Sequence, residues 1–139
     1  MEEVIIFGDI EEALRVHLTA ELPDFTADSV TVAVTRPNPM STRLVLVPRL
    51  GGPKRDIVTD GATIGVECFA PTHSGALELA QLARGIIEAL PGKTISGLPV
   101  YRVQEFAGPA MLPDPDSDTP RYVFTVRVEF RGTTRERTS

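Results

Sequence analysis

The sequence predicts an α+β fold: a mixed, mainly antiparallel sheet of about five strands with two helices packed on one face. Three observations carry that expectation. Tyr122, Phe124, Val126, Val128 and Phe130 alternate with Val123, Thr125, Arg127, Glu129 and Arg131, the period-2 pattern of a strand with one buried face. Ala76, Leu79, Ala80, Ala83, Ile86, Ile87 and Leu90 recur at helical spacing. The stretch from Gly61 to Leu90 reads as strand, turn and long helix in succession, and an apolar sheet face needs such a helix to cover it.

In chain order, Asp9 and Glu12 stand as an N-cap and its capping-box partner, and Ile10, Ala13, Leu14, His17 and Leu18 then form an amphipathic stripe that ends near Pro23. Ser29 to Arg36 alternates Val30, Val32 and Val34 with small polar residues and is the first strand; Pro37, Asn38 and Pro39 stop it. Arg43 to Leu50 is the second, with Pro48 marking an edge or a bulge because it has no amide proton to donate. Gly51, Gly52 and Pro53 open a turn from which Lys54, Arg55 and Asp56 project as a charged excursion. The third strand is Ala62 to Ala70, with Ile64, Val66, Cys68 and Ala70 on the core face, and these strands together read as an antiparallel meander.

Pro71 ends that strand, Thr72 or Ser74 caps the long helix, and Pro91 and Gly92 terminate it. Leu77 falls off the apolar stripe, where it is free to face a partner. Leu98 to Phe106 is the fourth strand, expected to run parallel to the third because a helix of crossover length joins them. A polar, proline-rich loop from Gly108 to Pro120 leads into the last strand, and residues 133–139 read as a flexible tail.

A chain of 139 residues is expected to form one domain, 1–139. Apolar residues at 42% and charged residues at 24% fit a globular protein. No apolar run reaches the roughly 20 residues that cross a bilayer, and the acidic start MEEVIIFGDI lacks the pattern of a secretory signal. Cys68 is the only cysteine, which excludes an internal disulfide and points to a reducing cytoplasm. The net charge is −5 and the basic residues form no run, so the electrostatic footprint of a nucleic-acid binder is missing.

No catalytic, cofactor or metal motif stands above background, and the expectation is a protein that is not an enzyme. His73 and Ser74 adjoin at a helix start, but no nucleophile elbow surrounds Ser74. Asp114, Asp116 and Asp118 imitate the first ligands of a calcium loop, yet Thr119 stands where its glycine belongs and Thr125 where its bidentate glutamate belongs. The loop reads instead as a solvated acidic segment, or as a docking element stiffened by Pro109, Pro113, Pro115 and Pro120. Gly51 to Lys54 lacks the spacing and the following helix of a phosphate cradle.

Taken together, PNP at 37–39, RLGGPKRDIVTDGATIGVECFA at 49–70, the helix LAQLARGIIEAL, and VYRVQEFAGPAMLPDPDSDTPRYVFTVRVEFRGT at 100–133 resemble the tail terminator proteins of long-tailed bacteriophages. The resemblance covers roughly Asp9 to Thr133 and is most specific in LPDPDSDTPRYVFTV. It implies a structural protein that forms a ring, a hexamer in such relatives, on the head-proximal end of the tail tube. Such a ring ends tube polymerisation and offers the surface that joins the head. The implied partners are further copies of the chain, the tail tube protein and a head-neck or stopper protein. DNA crosses the ring without sequence-specific binding, no membrane and no cofactor take part, and assembly happens in the bacterial host cytoplasm before the protein resides at the head–tail junction of the virion.

The interface residues expected on this reading are Pro113, Asp114, Asp116, Asp118 and Arg121 in one loop, Arg49, Lys54, Arg55 and Asp56 in the other, and Leu77 on the long helix. The ending RGTTRERTS has no counterpart role in the family. Composition and spacing alone also admit a small cytoplasmic α+β ligand-binding or regulatory domain, or a small hydrolase built on Ser74 or the Asp cluster.

Overall fold

The computed structural model describes residues 2–138. Its spine is a pair of eleven-residue strands, β4 (Thr59–Phe69) and β7 (Arg121–Arg131), antiparallel from Thr59 opposite Arg131 to Phe69 opposite Arg121. Around them lie β2 (Thr31–Ala33), β3 (Leu44–Leu46), β5 (Thr94–Ile95) and β6 (Leu98–Met111), giving a six-stranded sheet in the order β2-β3-β4-β7-β6-β5. A separate two-stranded ribbon joins β1 (Glu3–Ile6) to β8 (Thr133–Glu136). The sheets are mainly antiparallel and two helices complete an α+β fold, α1 (Ile10–Glu21) and α2 (His73–Glu88).

Both helix starts follow from their caps. Asp9 Oδ1 accepts from the amide of Glu12 at 3.0 Å, while the Glu12 carboxylate turns to Arg15 instead of back to the Asp9 amide. At α2 the cap is Thr72, whose Oγ1 accepts from the Gly75 amide at 3.0 Å. A 3-10 turn over Leu22–Asp24 closes α1 at Pro23.

The core fills the space between the helices and one sheet face. Leu14 and Leu18 of α1, Ala80, Ala83 and Ile87 of α2, Ile64, Val66 and Cys68 of β4, and Phe124, Val126, Val128 and Phe130 of β7 are all buried in it. The alternation in β7 therefore holds, and Cys68 is a core residue whose thiol is pushed up by burial. The other sheet face has its own small cluster at one end, Leu44, Leu46 and Phe69, with Arg36 stacked 5.1 Å above the Phe69 ring.

Three features differ from the sequence expectation. β2 and β3 pair parallel, so the first strands are not an antiparallel meander, although β3 and β4 are antiparallel. β6 does run in the direction of β4, but β7 lies between them. Residues 133–136, expected as part of a flexible tail, form β8 with Glu3 opposite Glu136 and Ile6 opposite Thr133; Ser139 lies outside the described residues. The ribbon hangs on backbone pairing and on Gly132, where any side chain would meet Ile5 and Phe7, and Phe7 in turn stands edge-on to Phe130 at 6.2 Å.

Candidate interaction surfaces

The two loops expected to carry function lie toward opposite ends of the β4–β7 pair: residues 112–120 adjoin Phe69 and Arg121, whereas the 49–56 loop runs from Arg49, opposite Ile64, to Arg55, bonded to Thr59. The structure does not bring them together. At the β7 start, residues 112–120 fold back onto the Phe69 end of the sheet. Asp114 is buried there, accepting from Arg36 Nη1 at 2.9 Å and Nη2 at 3.1 Å, from Ser117 Oγ and from the Asp116 amide. The Arg36 hydrogen bonds hold its carboxyl well below the usual carboxylate range, against the opposing effect of burial.

Arg121 likewise turns inward. It donates to Glu67 at 2.7 Å and to the carbonyl oxygens of Leu112 and Pro113. Asp114 and Arg121, expected as interface residues, are each paired within the chain, Asp114 with Arg36 and Arg121 with Glu67. Pro113, Asp116 and Asp118 remain on the exposed side of the loop. With Asp114 taken by Arg36, the acidic triplet does not assemble as a ligand set, and no cluster of metal-ligating side chains occurs among the described residues.

Toward the opposite end, the excursion between β3 and β4 continues along the β4 edge and is then tied to the outer sheet face by Arg127. Leu50 donates to the Thr63 carbonyl at 2.7 Å and Thr63 to that of Gly51 at 2.9 Å. Arg127 donates to the carbonyls of Pro53 and Gly61, passing over Gly61 where a side chain would collide with its guanidinium. Arg49 is paired with Asp60 at 2.9 Å, and its amide donates to Glu11 at 2.7 Å. Lys54, Arg55 and Asp56 are exposed, with Arg55 reaching Glu129 at 3.5 Å. Leu77 is half-buried on α2, outside the three surfaces described next.

Those surfaces were not visible in the residue pattern. The first is the free edge of β6. β5 covers only Leu98 and Pro99, leaving Tyr101 to Met111 without a strand on that side. Tyr101, Phe106, Met111 and Leu112 are exposed along it, while Arg84 of α2 grips Glu105 at 2.6 and 2.8 Å.

The second surface is the excursion itself, where Ile57 at 73% in the Asp56–Thr59 turn and Leu50 at 63% beside Gly65 are the most exposed large apolar side chains described. The third is a groove of about 330 Å³ between α1 and α2, lined by Phe25, Leu82, Gly85, Ile86 and Ala89 with Glu21 and Lys93 at its rim. Small Gly85 and Ala89, one turn apart, leave the helices incompletely filled. His17 borders the groove with its Nε2 shut off from solvent and unpartnered, and burial holds its pKa below the ordinary value.

No protein-family profile and no curated protein matches this chain. The surfaces must be read on their own chemistry. Ser74 lies 3.4 Å from the capping hydroxyl of Thr72, and Cys68 is fully enclosed, so neither presents an activated nucleophile. Among the outward features of the described residues are an open strand edge, exposed apolar side chains on a loop and an apolar groove, features able to hold another chain.

Proposed function

We propose that this chain is a structural assembly subunit, the tail terminator of a long-tailed bacteriophage. Copies of it close into a ring, a hexamer, on the head-proximal end of the tail tube. The ring stops tube polymerisation and presents the joining surface for a head-neck or stopper protein. The resemblance of residues 49–70 and 100–133 to that family supports the identity, and the free edge of β6 is the observation that carries the assembly role.

An exposed edge of this length is a liability for a protein that acts alone, because its free N–H and C=O groups template pairing with any other strand. β6 carries both the attraction and its restraint. Tyr101, Phe106, Met111 and Leu112 offer apolar area, while Pro109, the charges of Arg102 and Glu105, and three register shifts against β7 spoil indiscriminate pairing. A terminator needs that combination, since it must stay unassembled until a completed tube end provides the matching surface. The chain's net charge of −5 suits the passage of DNA through such a ring without retention.

Negative-stain microscopy of the protein mixed with the tail tube protein of the same phage tests this reading. The expected result is tubes bearing a ring at one end; tubes with both ends bare refute it. The α1–α2 groove favours a second reading, a ligand-binding domain, because its apolar lining suits a small apolar guest. Such a domain would stay a fixed monomer or dimer at every concentration and on every tube preparation.

A further inference from the structure

We infer that neighbouring copies join head to tail, the Leu50–Ile57 excursion of one copy seating in the α1–α2 groove of the next. This rests on the ring reading above and names the surface that builds it. The occupant follows from complementarity within one chain. Two of the most exposed large apolar side chains, Ile57 and Leu50, sit on the excursion, and the next, Phe25 at 60%, lines the groove. Beside Ile57 the excursion carries Lys54 and Arg55 of one sign and Asp56 of the other. The groove rim answers with Glu21 and Lys93, and Lys54, Glu21 and Lys93 have no ion-pair partner among the described residues.

Position decides that the contact is between copies. The excursion is tied by Arg127 to the outer sheet face, whereas the groove opens on the helix layer that covers the other face. One molecule cannot join its own two surfaces, and each copy therefore has one knob and one socket facing away from each other. A contact of unlike surfaces repeats with a constant rotation, and closes into a ring when that rotation divides the circle. The knob is also preformed: the Leu50, Thr63 and Arg127 hydrogen bonds fix its backbone before docking, which reduces the ordering cost.

Disulfide trapping tests the contact. Ile57 is exposed, and a side chain at Gly85 meets nothing within 4 Å, so Ile57→Cys and Gly85→Cys both leave the fold intact. Cys68 stays in place, enclosed in the core. A disulfide needs Cβ atoms about 4 Å apart, so only a seated loop is trapped. After mild oxidation of assembled protein, the double variant is expected to give a reducible ladder of oligomers that stops at the ring mass. Each single variant is expected to give no species beyond a dimer. Ile57→Asp and Phe25→Ala, both surface changes, are expected to weaken self-association roughly tenfold or more with unchanged melting temperature, the loss typical of an interface anchor.

Rings visible by microscopy with no ladder from the double variant overturn the inference and leave the ring reading standing. Monomers under every condition, tube ends included, overturn both. A groove that takes a small apolar ligand while the double variant stays monomeric also overturns it.

Discussion

Replacing Arg36 by Ala should destabilise the protein by about 3 kcal/mol, the low end of the roughly 3–5 kcal/mol lost when one partner of a buried ion pair is removed. The Asp114 side chain has 0% exposure, so without Arg36 its charge is stranded. The low end applies because Arg36 is itself 31% exposed, and because Ser117 and the Asp116 amide continue to bond the carboxylate. Lost stacking on Phe69 adds about 0.5 kcal/mol. For a chain of this size about 3 kcal/mol corresponds to a fall of about 10 °C in Tm. Thermal unfolding followed by circular dichroism at neutral pH measures it, and hydrogen exchange should show residues 112–120 losing protection first.

Two controls sharpen the reasoning. Adding Asp114→Asn to Arg36→Ala removes the stranded charge and should restore more than half of the loss. Because Arg36 holds the folded-state carboxyl below its unfolded value of 3.8, the stabilisation is complete above that pH and is lost as the pH falls below it. The gap between wild type and Arg36→Ala should therefore narrow on acidification below 3.8. A melting temperature within about 2 °C of wild type, or a gap that ignores pH, would refute the clamp.

Three further outcomes are expected. Gly61→Ala should displace the Arg127 guanidinium, free the excursion, and cost about 1–3 kcal/mol in urea unfolding, with raised hydrogen exchange over residues 50–58; unchanged exchange there counts against the tether. Burial depresses the pKa of His17, with Glu21 opposing and Lys93 reinforcing it, so stability should be full above 6.5 and fall as the pH drops below it. His17→Gln should remove that part of the urea-midpoint change, and an identical profile would exclude it. Phe106 is 52% exposed, so burying the remainder of its ~200 Å² contributes about 2.5 kcal/mol to any β6 contact; Phe106→Asp should weaken attachment to tube ends roughly 50-fold or more without changing Tm.

How much of this was legible in the residues depends on sequence distance. The β7 alternation and the α2 stripe declare themselves because one face of each is buried, and burial imposes a period on neighbouring residues. The Asp9 and Thr72 caps are equally local. The fate of the charged loops was not legible. Asp114 is claimed by Arg36, 78 positions away, and Arg121 by Glu67, 54 away, and no spacing rule anticipates such pairs. β8 was missed because all four of its residues are exposed and leave no apolar pattern; its pairing with β1 is a backbone matter.

The open surfaces were hidden for a related reason. An apolar residue in a sequence is presumed to be inside, and no residue pattern marks Phe25, Leu50, Ile57 and Phe106 as exposed. Gly85 is the one residue that could have marked the groove, because a helix interior seldom keeps a glycine without a packing reason.

The claim that this subunit closes a tube is tested most directly by tube length. Tail tube protein is polymerised while purified subunit is added in increasing ratio, and lengths are scored by electron microscopy. Growth should stop earlier as the ratio rises, with a ring on one end of each arrested tube. Length distributions that ignore the added protein, with both tube ends bare, would contradict the account.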